Sequence, residues 1–196
     1  MKETFSRWFW LITLLAVINA GCQITLLSPP APTCIPLTEE ERQVLIDHSF
    51  DPPKVVRWPD KTVIEVYDET GFPHFDYVLN EWNRCLEGKV TLVRAGNPGE
   101  AEIQIVFGDV EEPLSGRALT YYSDDGRIYR GFVTIDRPAG GYNVTTYLHE
   151  LGHNLGCHHH LERGLMQQGS GLQRIDEYTR WYFNLLYSLP AGYIIC

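Results

Sequence analysis

Residues 149–159 read His-Glu-Leu-Gly-His-Asn-Leu-Gly-Cys-His-His, and this stretch decides how the rest of the chain is read. On an α-helix, His149 and His153 stand four residues apart on one face, so two imidazoles can reach one metal ion. Glu150 is turned by about 100° from His149. It can face the open side of such an ion without binding it, which is where a general base for a bound water belongs. A third donor has to come from beyond the helix, because a continued helix would point His159 away. Gly156 stands where a left-handed C-terminal turn needs a residue without Cβ. After that turn the spacing selects His159 as third ligand, with His158 and His160 as solvent-facing or outer hydrogen-bonding neighbours; the run of three histidines leaves open that one of those two is the ligand instead. Three neutral imidazoles and one open position make up the donor set of a catalytic zinc site. The alternative, core histidines on an ordinary helix, does not explain the base, the glycine and the third histidine together.

The extended pattern His149-Glu150-X-X-His153-X-X-Gly156-X-X-His159 resembles the metzincin zinc-peptidase signature. That signature also has a Met in a tight turn beneath the metal. Met166, one of only two methionines in the chain, stands seven residues after His159 and matches it, although filling the core would be the default role of a lone Met. The short gap to Met166 is most similar to the matrixin branch, as is the preceding order of strand, helix with a central Trp82, and alternating strand. The resemblance covers roughly residues 60 to 188. It implies an α+β, zincin-like fold: a mixed twisted sheet packed on two helices, with a C-terminal helix below the metal cleft. It also implies a zinc-dependent endopeptidase with one catalytic Zn²⁺, Glu150 as the catalytic base, and a peptide or protein substrate pairing with the strand before the active-site helix (residues 117–123 or 131–136). No counterpart of the matrixin His- and Asp-rich ion-binding loop is present, so further structural ions are not expected. The competing reading is a catalytically silent, zinc-stabilised surface module that holds a peptide without cutting it.

Working outward, the pattern gives the same α+β layout. Thr38-Glu-Glu-Glu41 has the spacing of a capping box, predicting a short helix to about Asp47 that Asp51-Pro-Pro53 breaks. Val63–Tyr67 reads as a strand, about 73–86 as an amphipathic helix, and 90–93 and 101–107 as strands. Residues 117–123 and 131–136 pair around the turn Asp124-Asp-Gly126. The active-site helix runs from about Asn143, its cap, to near Gly156, with Gly140-Gly141 forming the turn that leads into it. A last helix is expected over about 172–188.

The N-terminus reads separately. Lys2 and Arg7 precede the apolar run Trp8–Ile18, too short for a comfortable helical span. Ala20-Gly21-Cys22 resembles the end of a bacterial lipobox, whose Cys is lipidated. Lipid on Cys22, simple cleavage and an uncleaved anchor all remain open, and all three place the protein outside the cytoplasm, secreted or membrane-anchored. The domain plan is thus an export or lipoprotein signal over 1–21, a Pro-rich tether over 22–37, and a single zinc-peptidase catalytic domain over 38–196. The whole chain has 196 residues, 44% of them hydrophobic, and a formal net charge of −9. That balance lacks the basic footprint a nucleic-acid partner requires. Setting Cys22 aside, Cys34, Cys85, Cys157 and Cys196 allow two disulfides, with connectivity open, or four buried thiols. Cys34 reads as a disulfide partner in preference to a thiolate cap on the zinc, and Cys157 as pointing away from the metal. Oligomeric state is not readable from the sequence.

Overall fold

The computed structural model describes residues 34–137 and 142–196. The signal over 1–21, Cys22, the tether as far as residue 33 and the turn Gly140-Gly141 lie outside the described residues. The described elements run α1 (Glu39–His48), β1 (Val63–Asp68), α2 (Phe75–Leu86), β2 (Thr91–Arg94), β3 (Ile103–Gly108), β4 (Gly116–Tyr122), β5 (Ile128–Asp136), α3 (Val144–Asn154) and α4 (Glu177–Ser188). This is a mixed α+β arrangement of a five-stranded, mostly parallel sheet and four helices.

The sheet has the order β2-β1-β3-β5-β4. Strands β2, β1, β3 and β5 are parallel neighbours, and β4 turns back antiparallel to β5. Parallel neighbours need a crossover, and α2 supplies it between β1 and β2. The hairpin β4–β5 closes at Asp124-Asp125-Gly126. There the Gly126 amide donates to the Ser123 carbonyl at 2.8 Å, and Gly126 adopts φ +76, a left-handed geometry that suits glycine. Because β4 ends the sheet order, its second edge has no strand partner among the described residues.

Local sequence dictates most boundaries. The capping box forms as expected: the Glu41 amide donates to Thr38 Oγ1 at 3.2 Å, and the Thr38 amide to Glu41 Oε2 at 2.8 Å. On α2 the apolar stripe Phe75, Val78, Leu79, Trp82 and Leu86 is buried. The last helix is shorter than its periodicity suggests. Asp176 caps it by accepting from the Tyr178 and Thr179 amides at 2.9 and 3.2 Å. Ile175 lies before the cap, its amide donating to Glu81 Oε2 on α2 at 3.1 Å. Apolar spacing therefore ran on through residues that a tertiary hydrogen bond holds outside the helix.

The cysteines follow neither sequence expectation in full. Cys34 and Cys196 form a disulfide across a separation of 162 residues, whereas Cys85 and Cys157 are buried thiols. In the chain-entropy account a loop of that length contributes about 5 kcal/mol. Burial pushes the Cys85 thiol up to about 12, and that of Cys157 higher still.

Two tryptophans hold helix α3 through its carbonyls. Trp82 Nε1 donates to the Leu148 carbonyl at 3.1 Å and Trp58 Nε1 to the Asn154 carbonyl at 2.8 Å. Trp82 is fully buried and meets Phe183 of α4 edge-on at 4.7 Å. Trp82→Ala removes both the packing and that hydrogen bond. It is expected to lower stability by about 3–5 kcal/mol, read from the shift of the denaturant midpoint against wild type.

Candidate metal centre

Helix α3 carries Tyr147, Leu148 and Leu151 into the core and turns His149, Glu150 and His153 toward a cleft of about 650 Å³. Its N-cap is Asn143, whose side chain accepts from the Thr145 amide at 3.0 Å. Its C-terminus closes at Gly156, with φ +121. The Gly156 amide donates to His153 O and the Cys157 amide to Gly152 O, each at 3.2 Å, the paired bonds of a Schellman turn. A Cβ on Gly156 would lie 2.9 Å from the Val56 carbonyl. The turn therefore needs glycine for conformation and for space, as the sequence implied.

Both helical imidazoles are oriented by backbone carbonyls. His149 Nδ1 meets Leu165 O at 2.9 Å, and His153 Nδ1 meets Cys157 O at 2.5 Å. A carbonyl only accepts, so each Nδ1 carries the proton and each Nε2 is left as a bare donor atom. The two Nε2 atoms lie 3.2 Å apart. Two bare lone pairs at that distance have no hydrogen bond to share, and a common cation is what would satisfy them. Burial above all, helped by the neighbouring imidazoles and opposed by each ring's bond to a carbonyl, holds His149 below its ordinary value and His153 down at about 3. Both are neutral near pH 7, the form that binds a metal.

The third ring is not the expected one. A donor atom from each of His149, His153 and His160 lies within 4.8 Å of the others, with His160 centred 5.1 Å from His149 and 5.3 Å from His153. His159, which the motif spacing selects, lines the cleft but is not in that group. The cause is the backbone after Gly156. The His158 amide donates to the His48 carbonyl at 2.9 Å, and the His159 carbonyl lies 3.2 Å from His48 Nδ1. Pinned against α1, residues 158 and 159 place their rings together at 4.2 Å, and the next residue meets the pair on α3. The three imidazoles fit a divalent cation of the zinc type.

Met166 is fully buried and sits beneath the helix, its thioether against Gly152, where a Cβ would collide with it and come within 3.0 Å of Trp82. The preceding turn is fixed by the Leu165 amide, which donates to Asp176 Oδ2 at 2.7 Å and to Thr179 Oγ1 at 3.0 Å. Its carbonyl is the one that orients His149.

Glu150 is buried at 7% exposure and lines the same cleft. Burial raises its carboxyl to about 8. Positive charge at the three nitrogens would reverse that and favour the carboxylate. Opposite it, Gly116 opens β4. A Cβ there would lie 2.8 Å from Glu150 Cγ and 3.0 Å from Oε1, so the missing side chain is what leaves the carboxyl room. Sequence reasoning did not single out Gly116, although a glycine opening an edge strand was the available signal.

Strand β4, not β5, borders the cleft: Gly116, Ala118 and Thr120 line it. The Asp136 amide bonds Ser115 O at 3.0 Å, and in this register bonded pairs alternate. The backbone groups of Gly116, Ala118 and Thr120 therefore point to the edge that no described strand pairs.

No protein-family model matches the chain, and no curated protein does. Among solved structures the chain is similar to myroilysin. One crystal structure of it has 14% identity and a TM-score of 0.34, covering 66% of this chain and 60% of that one. A second myroilysin structure has 20% identity and a TM-score of 0.29, covering 53% and 52%. The chain thus spans less than two thirds of the length of either. Likenesses of this size leave the chemistry to be read from the chain's own residues.

The register of the third ligand is directly measurable. His160→Ala is expected to lose bound zinc, whereas His159→Ala retains close to one equivalent by elemental analysis. The opposite pattern would return the ligand to position 159.

Proposed function

We propose that the chain is a zinc-dependent endopeptidase of metzincin type, with Glu150 as general base. The observation that carries this reading is the convergence of three imidazoles beside a buried carboxyl group, in a cleft that runs along a strand edge with no partner among the described residues. His149, His153 and His160 would hold the ion. When bound, zinc supplies a Lewis acid that polarises a carbonyl and lowers the pKa of a water toward about 7.

The remaining steps belong to the chain's own residues. The free backbone groups of Ala118 and Thr120 pair with an extended peptide and hold its scissile bond over the histidines. Glu150 accepts a proton from the attacking water at its carboxylate and returns it to the leaving nitrogen. Gly116 leaves the carboxyl the room it needs for this. The Met166 turn orients His149 through the Leu165 carbonyl, and its short distance from the histidines supports the matrixin branch within the metzincins. The Cys34–Cys196 disulfide supports an oxidising, extracytoplasmic setting, in keeping with export or membrane attachment through residues 1–22.

Glu150→Gln tests the reading with minimal change of shape. Zinc content is expected to stay near one equivalent while cleavage of a denatured protein substrate falls by about 10²–10⁴-fold. A chelator should abolish wild-type cleavage, and added zinc restore it. Turnover unchanged by the substitution would remove Glu150 from the chemistry.

A further inference from the structure

The cleft carries little formal charge of its own. Among the described residues that line it, Arg117 is the only Lys or Arg and Glu150 the only acid. The chain as a whole has a formal net charge of −9, so this guanidinium opposes the sign of the molecule around it.

Its place follows from the pleat of β4. Gly116 is buried, with Ala118 and Thr120 half-buried, whereas Arg117 and Leu119 are exposed. Even-numbered residues thus turn toward α3 and odd-numbered ones to the outer face of the sheet, as the two-residue repeat requires. Opposite Arg117 on β5 stands Thr134, which is uncharged. The one acid of β5 is Asp136, placed diagonally at the longer cross-strand spacing of about 7–8 Å. No ion pair joins the Arg117 guanidinium to another described residue.

The open edge of β4 decides what can meet it. Gly116 and Ala118 turn their backbone groups to that edge, so a peptide added there bonds on either side of Arg117. In antiparallel pairing the peptide residue facing Arg117 occupies a non-bonded position, where Cα atoms approach to about 4.5 Å. Facing residues share one face of a sheet whichever way the added strand runs. That residue's side chain therefore lies beside the guanidinium, not against α3. Its distance from the reacting bond can be bounded. Gly116 stands level with Glu150, where a Cβ would lie 2.8 Å from Glu150 Cγ. Thr120 stands level with His153, its Oγ1 3.4 Å from that residue's carbonyl. A bond held over the metal-binding face of α3 lies opposite this interval, before the register shift at Tyr121/Tyr122. The residue facing Arg117 is thus no more than three residues from it.

We infer that Arg117 is a specificity-determining residue, selecting an Asp or Glu side chain within three residues of the cleaved bond. The inference rests on the peptidase reading for its cleavage step, and on the strand edge alone for binding. A guanidinium offers a carboxylate two parallel N–H donors, and it repels a Lys in the same place.

The experiment uses the zinc-loaded full chain carrying Glu150→Gln, and peptides of one sequence in which a single Glu, Gln or Lys is moved stepwise. Affinity is read by fluorescence anisotropy at low salt, where exposed charges are least screened. The net charge of the molecule disfavours every Glu peptide alike, so a gain confined to one position reports Arg117 and not the overall field. There Glu should bind about five- to tenfold tighter than Lys. Adding Arg117→Gln should erase the difference, and Arg117→Glu should reverse it. Cleavage by the wild type should then map within three residues of the preferred Glu. No positional preference for Glu, one that survives Arg117→Gln, or a cleaved bond further away overturns the inference. A preference that Arg117→Glu reverses, without any cleavage by wild type, upholds the charge pairing and removes the peptidase reading instead.

Discussion

The two hydrogen bonds that fix the helical imidazoles are the constraint on which the site depends. Leu165 and Cys157 offer their carbonyls to the Nδ1 atoms of His149 and His153, and this choice of tautomer turns both Nε2 atoms inward. Each carbonyl is itself placed by tertiary structure. Leu165 is anchored through its amide to the Asp176 and Thr179 side chains, which belong to the start of α4. Cys157 follows the Gly156 turn, whose space is bounded by Leu186 of α4 and the backbone of Val56. Helix α4 thus never enters the cleft, yet it decides which ring nitrogen faces it.

Much of this was legible in the sequence because the signals were local. Spacing in the histidine run gave the face of α3, Gly156 gave its stop, and Thr38 with Glu41 gave the start of α1. Alternation in residues 101–107 gave β3, and Asp124-Asp-Gly126 gave the hairpin. What was not legible depended on contacts distant in sequence. His48 lies more than a hundred residues before the histidine run, and no spacing rule registers that its backbone and ring hold residues 158 and 159. Three consecutive histidines made the register a choice among chemically identical side chains, so a shift of one residue left no trace in composition. The pairing of Cys34 with Cys196 likewise joins the two ends of the described chain. The overlong last helix has the same origin, since Glu81 of α2 holds Ile175 outside it.

Small residues set the dimensions of the site as firmly as the ligands do. Gly152 lets Met166 lie against the helix backbone, Gly116 lets Glu150 reach the cleft, and Gly131 leaves room for the Asn154 amide. In each case a methyl group would fall on a side chain of α3 or of the turn beneath it. The geometry of the site is therefore carried partly by absent atoms, and a search for charged or coordinating residues alone overlooks them.

The covalent link from Cys34 to Cys196 turns almost the whole described chain into a ring. Hydrolysis at any one exposed loop opens that ring without dividing it, so a single nick leaves one molecule of unchanged covalent content plus a water. After such a nick the two segments stay joined through the bridge, so the buried core and the covalent link act together to keep them in one molecule.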